Sequence, residues 1–443
     1  MVESVKKSLR DSAAARWSAL AIVSVIMFCG YYFDKATSAF KTAIVDSGWS
    51  SVDFGFFKSA YGWLNVFAFM LIIGGIILDK KGVRFTGILS ALVMVFGVAV
   101  CWIGLASGFP VRTQVWVAAI GFAFFGTGVE VAGITVSKVI VKWFKGKELA
   151  TAMGLQLAGA RMGTAVGLAV AMPLALKWGV KAVPFLGLAL LLMGTVAYLF
   201  YCRMDRRLDA SEPPAAATED AFKLSDIVLI LKNKGFWLIA LLCLIFYSGV
   251  FPFLDYATDL MVQKYHVSAG LAGLIPALLP FGNILLTPLF GTIYDRKGKG
   301  ASIMILGAFL LVIVHAIFAV PAFSHWAVAV GAMLLLGVAF SLVPSAMWPS
   351  VPKLIPEKQL GTAYSMIFYI QNIGLMGVPY LIGWVLDRFC RVPGAGGKVA
   401  YNYTLPLLIF LSFGVVAIFV AFMLKADDRK KGYGLELPNI KRA

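Results

Sequence analysis

Residues 75–84 read GIILDKKGVR and residues 291–299 read GTIYDRKGK, so one short phrase occurs once in each half of the chain. Each copy follows a long apolar run and ends it with an aspartate, basic residues and a glycine. Gly82 and Gly298 permit a sharp turn, and the basic residues stay in water at the membrane surface. This internal repeat predicts two related halves of the same topology, each carrying the phrase after its second span.

The composition is that of a membrane protein rather than a soluble domain. The chain has 443 residues, 60% of them hydrophobic, and a mean hydropathy of +0.87. Its apolar runs reach the roughly 18 residues that cross about 30 Å of hydrocarbon as a helix, and they lack the alternation of barrel strands. The first run is too long for a cleavable signal peptide. Twelve spans are predicted, near residues 17–34, 54–78, 84–106, 114–141, 148–175, 182–202, 236–262, 268–293, 301–320, 326–351, 358–387 and 403–424.

The repeat and the spans together predict an all-α membrane protein with twelve transmembrane helices in two six-helix halves. We expect an N-terminal half over residues 1–203, a linker over 204–235, and a C-terminal half with a polar tail over 236–443. Within the linker, the segment from Phe222 to Lys234 has the apolar spacing of an amphipathic helix lying on the membrane surface.

The net charge of +17 is distributed by membrane side rather than gathered in a nucleic-acid-binding patch. With the N-terminus assigned to the cytoplasm, the loops on that side hold roughly three times as many Lys and Arg residues as the loops on the other side. This is the bias that the positive-inside rule describes. We therefore expect both termini in the cytoplasm, the lipid bilayer as the surrounding partner, and no nucleic-acid partner.

Two opposite charges lie deep inside adjacent predicted spans. Glu130 precedes the loop Lys142–Lys147 by about as many residues as Arg161 follows it, so both lie roughly 18–20 Å from the same membrane face. A charge at that depth costs about 2.5 to 17 kcal/mol, depending on how it is measured, and needs a partner or a watery cavity. The two are either a structural ion pair between helices or the two poles of a site for a zwitterion.

Other polar and aromatic side chains in the spans are candidates for the wall of a central cavity. Amides at mid-span either hydrogen-bond a neighbouring helix or hold a substrate amide, and aromatic residues there either pack or contribute to the site. The substrate-binding candidates besides Glu130 and Arg161 are Asn65, Gln371, Asn372, Tyr31, Tyr61 and Trp348. Asp34 and Asp255 are candidates for a polar or proton-carrying site, and a place at the membrane interface is the alternative for both.

The repeated phrase supplies candidate gating residues. Its aspartates can face a helix N-terminus or a basic side chain of a neighbouring helix and so hold one side of the protein shut. The alternative is a charge that only sets the topology of a tight loop. The predicted gating residues are Asp79, Lys80, Arg84, Asp295 and Arg296.

The sequence has none of the patterns that enzymes, metal sites and cofactor sites require. His266, His315 and His325 are not paired at ligand spacing, and no phosphate-binding loop or nucleophile elbow occurs. The five cysteines are scattered, and we expect small buried hydrophobic side chains at these positions. We expect no metal, no cofactor and no catalysis, so that transport is driven by a gradient rather than by ATP.

The pattern G-x-x-x-D-R/K-x-G with a following basic residue, present twice at corresponding positions, resembles the signature loop of the major facilitator superfamily. The resemblance implies that superfamily's fold and transport by alternating access. In the superfamily the aspartate of this loop is part of a gate, and Asp79 and Asp295 match it.

Several longer phrases in both halves are similar to the lysosomal dipeptide-transporter family within that superfamily. They are Tyr61–Asn65, Trp143–Leu149, Gly154–Leu157, Ala160–Gly163, Val250–Phe253, Met347–Pro349, Pro356–Tyr364 and Ile370–Asn372. The similarity implies a dipeptide carrier without obligatory proton coupling, in which a glutamate on span four and an arginine on span five hold the two ends of the substrate. Glu130 and Arg161 match those positions.

Two features depart from the lysosomal members of that family. The N-terminal tail has no dileucine-type sorting signal. The only N-x-S/T sequon for N-glycosylation, Asn402–Thr404, lies at the start of predicted span twelve. We therefore expect a protein of the bacterial inner membrane, or of a plasma membrane, rather than of the lysosome. We expect it to work as a monomer, and the sequence does not indicate an accessory subunit.

Together the residues and the resemblance predict a facilitative or secondary-active carrier of small zwitterions, with dipeptides as the first expectation. A carrier of small organic anions or sugars, with Arg161 as the anion clamp, is one alternative. A membrane receptor that transports nothing is an alternative from a different class.

Overall fold

The computed structural model describes residues 9–144, 147–211, 224–356, 359–394 and 399–439. Within these ranges the chain is almost entirely helical, as the apolar runs predict. The α-helices are α1 (Ala13–Ala39), α2 (Lys41–Asp46), α3 (Ser51–Ser59), α4 (Trp63–Phe67), α5 (Met70–Ala106), α6 (Val111–Phe144), α7 (Leu149–Trp178), α8 (Ala182–Ser211), α9 (Leu224–Leu231), α10 (Lys234–Gln263), α11 (Leu274–Lys297), α12 (Gly300–Ala319), α13 (Trp326–Leu354), α14 (Leu360–Phe389) and α15 (Thr404–Lys431). A short antiparallel hairpin pairs β1 (Arg391–Pro393) with β2 (Val399–Tyr401).

Eleven helices in the described ranges are long and apolar enough to cross a membrane, and the twelve predicted spans map onto them with one rearrangement. The helix predicted over residues 54–78 is broken into α3, α4 and the start of α5, and α5 then continues through span three. The second predicted span is therefore interrupted twice, by a 3-10 turn over Ala60–Gly62 and at Phe69, whose backbone is left-handed with φ 52°. Inside α5, Gly82 has φ 76° and separates the two predicted spans at the turn expected from the repeated phrase.

The helices pack in two sets. In the first set, α1 to α8, helix α1 lies against α6, α7 and α8, and α5 lies against α6 and α8. In the second set, α10 to α15, helix α12 lies against α13 and α15, and α10 lies against α14 and α15. Small residues let these helices approach closely: a Cβ atom added at Gly97 would lie 2.5 Å from the carbonyl oxygen of Gly121.

The two sets meet mainly away from the membrane face that carries the turns at Gly82 and Gly298, which we call the basic face. The largest contacts between the sets are made by α1 with α10, α3 with α14, and α7 with α11. The α3–α14 contact is so close that a Cβ atom at Gly55 would lie 2.5 Å from the carbonyl oxygen of Pro379. These contacts hold the sets together on the side opposite the basic face.

The segment after α15 packs under the second copy of the repeated phrase. The backbone nitrogens of Lys299 and Gly300 donate to the carbonyl oxygens of Glu436 and Leu435, both at 2.9 Å. The Glu436 carboxylate accepts from the backbone nitrogen of Ser302 at 2.9 Å and from its hydroxyl at 2.8 Å. Glu436 therefore caps the N-terminus of α12, whose own capping residue Lys299 makes no side-chain cap hydrogen bond.

The linker and the cysteines complete the fold. Helix α8 continues to Ser211, beyond the predicted boundary at 203, and the described linker helix α9 is shorter than the segment 222–234 predicted for it. Phe222 lies outside the described residues, whereas Val228 and Leu229 of α9 are exposed. All five cysteines are buried, as expected; they are Cys29, Cys101, Cys202, Cys243 and Cys390.

Candidate functional site

Glu130 lies in the middle of α6 and faces a cavity between the two helix sets. Its Oε1 accepts a hydrogen bond of 3.0 Å from the Tyr61 hydroxyl, and this is its only hydrogen bond to a described residue. The side chains that line the cavity are Tyr31, Asp34, Lys35, Lys58, Tyr61, Glu130, Phe251, Asp255, Gln371 and Leu375. The glutamate therefore has unused acceptor capacity directed at a polar space inside the membrane.

Arg161 lies on α7, next to α6 in the first helix set, and its side chain is half-buried. The guanidinium carbon is 5.7 Å from the ring centre of Phe251 and 5.3 Å from that of Phe340, both on the second set. It forms no hydrogen bond or ion pair with any residue in the described part of the chain. A direct ion pair of Glu130 with Arg161, one of the two alternatives from the sequence, is accordingly not found in this conformation, and the N–H donors of the guanidinium remain available.

A cluster of four charges forms another wall of the cavity. The Lys35 ammonium is 2.9 Å from Asp255 and 3.2 Å from Asp34, and the Lys58 ammonium is 3.1 Å from Asp34 and 3.5 Å from Asp255. The Ser38 hydroxyl also donates to Asp255 at 2.7 Å. Two cations and two anions thus balance, and they link α1 and α3 of the first set to α10 of the second.

A second charged contact joins the sets farther from the basic face. The Lys41 ammonium on α2 is 2.6 Å from the carboxylate of Asp259 on α10, and both side chains are buried. Asp259 also accepts from the hydroxyls of Thr42 and Tyr403, and the ring centre of Tyr401 is 4.7 Å from the Lys41 ammonium. Sequence reasoning missed this contact because its partners stand far apart in the chain, with no pattern that relates them.

The predicted amide residues divide between the cavity and the contact of the two sets. Gln371 lines the cavity. Asn65 and Asn372 are buried, and the Asn65 amide donates to the Asn372 amide oxygen at 3.4 Å, which joins α4 to α14. The Asn65 oxygen is buried without a hydrogen-bond partner among the described residues. These two amides hold the helix sets together rather than lining the cavity in this conformation.

The predicted aromatic residues divide in the same way. Tyr31 and Tyr61 line the cavity beside Glu130. Trp348 lies against the ring of Phe368, with the ring centres 4.9 Å apart, and its indole N–H donates to the Tyr247 hydroxyl at 3.1 Å. Trp348 is therefore part of the packing inside the second helix set.

The predicted gating residues form contacts only within their own helix set. Asp79 pairs with Lys138 at 2.8 Å, and Asp295 accepts from the Asn439 amide at 2.8 Å. Arg84 pairs with two aspartates of α8, Asp205 at 3.3 Å and Asp209 at 2.7 Å. Lys80 and Arg296 are exposed. In this conformation, none of the described hydrogen bonds or ion pairs of these five residues crosses between the sets at the basic face.

The chain matches a known transporter superfamily over most of its length. The sequence profile of the Major Facilitator Superfamily matches residues 20–379. The chain belongs to the major facilitator superfamily. It is therefore a multi-pass membrane transporter that moves small molecules, and alternating access is typical of this superfamily.

Curated relatives cover most of the chain at modest identity. The lysosomal dipeptide transporter MFSD1 of Danio rerio is 26% identical over 95% of this chain and 90% of its own length. The protein of the same name from Homo sapiens is 28% identical over 84% of this chain and 80% of its own. That from Mus musculus is 29% identical, with 83% and 80% covered.

Solved structures of other transporters share the fold. The nucleoside transporter NupG superposes with a TM-score of 0.69 over 93% of this chain and 99% of its own, at 15% identity. The peptide transporter POT gives a TM-score of 0.70 over 93% and 94%, at 14% identity. At these identities the likeness concerns the fold alone.

Proposed function

We propose that this protein carries dipeptides or similar small zwitterions by alternating access. Glu130 binds the ammonium end of the substrate, and Arg161 binds its carboxylate through a bidentate pair of hydrogen bonds. The observation that carries the proposal is that these opposite charges, on adjacent helices, are not paired with each other. Glu130 accepts one hydrogen bond, and Arg161 contacts only aromatic rings among the described residues.

The energy of buried charge explains why such residues fit a zwitterion. An uncompensated charge inside a membrane protein is costly, and a permanent ion pair would remove that cost without a ligand. Other buried charges of the described chain do form ion pairs, as Lys35 does with Asp255 and Lys41 does with Asp259. A zwitterion compensates both Glu130 and Arg161 at once, while its side chains need only space.

The curated relatives support dipeptides as the substrate class, since those proteins are named dipeptide transporters. The sequence has no phosphate-binding loop of the kind that ATP-driven transporters use. The proposed mode is therefore facilitated diffusion or transport driven by a gradient. We further propose that the basic face is cytoplasmic, that both termini lie there, and that a monomer in a bacterial inner membrane is the working form.

The space directly beside Glu130 is smaller than a whole dipeptide requires. Its water-accessible volume is about 80 Å³, whereas small-molecule sites commonly measure roughly 300–1,000 Å³. Arg161 is not among the residues that line this space, so the proposed site extends beyond it toward α7, and only the ammonium end of a dipeptide occupies the space beside Glu130.

The test combines binding and transport by the purified full-length protein. A panel of dipeptides and organic acids is screened by thermal shift, and hits are followed as uptake into proteoliposomes. We expect dipeptides to stabilise the protein. Arg161→Gln should weaken their binding by about 2–5 kcal/mol, thirtyfold or more, and Glu130→Gln should weaken it by a similar amount.

Arg203→Gln is the matched control. Arg203 is exposed in the C-terminal part of α8, away from the cavity, so its substitution should leave binding unchanged. Full dipeptide binding by Arg161→Gln would contradict the proposed site. Stabilisation by a monovalent organic acid that lacks an amine, with Glu130→Gln tolerated, would instead identify an anion carrier that uses Arg161 alone.

A further inference from the structure

Three aromatic side chains of the second helix set form one group where Arg161 reaches them from the first set. The rings of Tyr247, Phe251 and Phe340, which we call the aromatic platform, lie with their centres 5.2 to 5.5 Å apart. The Arg161 guanidinium is within 6 Å of the centres of both phenylalanine rings. Phe251 also lines the cavity beside Glu130.

We propose that Phe251 and Phe340 are positioning residues that hold the Arg161 guanidinium for the substrate carboxylate. This inference rests on the proposed function, because it assigns the ligand of Arg161. The rings attract the cation through their π faces and accept none of its N–H groups in conventional hydrogen bonds. The guanidinium is thereby kept in place with its donors free.

The alternative ways of holding an arginine inside a membrane would work against binding. A protein carboxylate paired with Arg161 would occupy the same N–H groups, and the substrate would have to displace it at a cost. A guanidinium without any partner would be held poorly, and ordering it on binding would weaken the affinity. The aromatic platform avoids both costs, since it stabilises the charge without competing for hydrogen bonds.

The platform also places the arginine of one helix set against rings of the other. Phe251 precedes Pro252 in α10, and the Lys35 ammonium of the charged cluster is 5.6 Å from the centre of the same ring. The positioning of Arg161 therefore depends on the relative placement of the two sets. The guanidinium is ready for the carboxylate only when α7 and α10 are close.

The experiment compares a dipeptide with its C-terminal amide, which keeps the ammonium and the peptide unit but lacks the carboxylate. Both dissociation constants are measured for the purified wild-type protein and for Phe251→Leu, Phe340→Leu and Phe251→Tyr. We expect the leucine variants to bind the dipeptide about 3- to 30-fold more weakly and the amide unchanged, so that the preference for a free carboxylate falls. Phe251→Tyr keeps an aromatic face and should retain the preference.

Phe253→Leu is the matched control. Phe253 is a buried aromatic residue of the same helix, and its ring contacts His315, Phe318 and Phe410 rather than a cation. Its removal should lower the thermal stability as Phe340→Leu does, while the ratio of the two dissociation constants stays at the wild-type value. Phe251 is half-buried and serves as the second test position where Phe340→Leu fails to fold.

The outcomes separate this inference from the proposed function. If wild-type protein binds neither compound, the proposed function fails. If it prefers the dipeptide and both leucine variants keep that preference in full, Arg161 does not depend on the rings and the positioning role is wrong.

Discussion

Individual charged residues in this membrane protein fall into two groups that differ in how they are compensated. Lys41 forms a buried ion pair with Asp259, and Lys35 forms a buried ion pair with Asp255 at the cavity wall. Arg161 lies on aromatic rings instead. Paired charges of the first kind join the helix sets, whereas the unpaired charge stays available for a ligand.

Removing one partner of the Lys41–Asp259 pair should lower the stability of the protein far more than removing both charges. Lys41→Met leaves the buried Asp259 carboxylate without a cation, with hydrogen bonds only from the hydroxyls of Thr42 and Tyr403 and the Gln263 amide among the described residues. We expect a loss of roughly 3–5 kcal/mol of stability. The double variant Lys41→Met with Asp259→Asn should recover most of that loss. Thermal unfolding of the purified variants in detergent measures both, and a single variant as stable as the wild type would refute the assignment.

At the scale of helices, the start of α12 depends on a distant segment. Lys299, the residue before α12, has a left-handed backbone with φ 66° and makes no side-chain cap, so Glu436 supplies the missing acceptor from beyond α15. Its carboxylate also complements the positive end of the helix dipole. The second copy of the repeated phrase is thus supported by the segment after α15, while the first copy is supported by α6 and α8.

Glu436→Ala should therefore destabilise the protein by about 0.5–2 kcal/mol, the usual effect of losing an N-cap. The neighbouring Leu437 is 64% exposed, so Leu437→Ala in the same segment should have little effect. The comparison is made by thermal unfolding of the two variants side by side. Equal unfolding temperatures would mean that the cap contributes nothing to stability.

The elements of the fold were predictable to the extent that local sequence decides them. Apolar length predicts the spans, and the repeat predicts the turns at Gly82 and Gly298, because both signals are contiguous in the chain. The break in span two was not predictable in the same way. Phe69 is an ordinary apolar residue in the sequence, and packing of Gly62 against Asn372 and Met376 of α14 accompanies the interruption.

The residues of the candidate site were likewise predictable only where the local sequence marks them. Glu130 and Arg161 are visible as charges inside apolar runs, and the cavity that includes Glu130 also includes the predicted Tyr31, Tyr61 and Gln371. The partners of Asp34 and Asp255 could not be predicted, because pairing with Lys35 and Lys58 depends on how helices of different sets approach. Asn65, Asn372 and Trp348 do not line the cavity in this conformation. They remain candidates for substrate binding in conformations in which the two helix sets are placed differently.

At the scale of the whole molecule, contacts between the helix sets are concentrated away from the basic face. The charged contacts, the α3–α14 contact and the α7–α11 contact all lie on that side. The predicted gating residues near the basic face contact only their own set. Alternating access requires these inter-set contacts to break while others form at the basic face, so their strength sets the balance between conformations.

Gly55→Ala should shift that balance. The added Cβ atom would lie 2.5 Å from the Pro379 oxygen, so α3 and α14 must separate. We expect a longer mean distance between spin labels at Arg112, in the first turn of α6, and Ser324, in the loop before α13. Both residues are exposed on the side away from the basic face.

Gly331→Ala is the control, because no atom lies within 4 Å of its added Cβ. The same double-label distance distribution should be found in this control as in the parent protein. An unchanged distribution in Gly55→Ala as well would mean that the close α3–α14 contact does not set the conformational balance.

The burial of all five cysteines has a practical consequence. Thiols enclosed by packed helices react slowly with water-soluble maleimides, so the natural chain already serves as an almost silent background for labelling. A single cysteine placed in an exposed loop can then be probed in intact cells with an impermeant reagent. Such labelling reports directly which loops face the cell exterior.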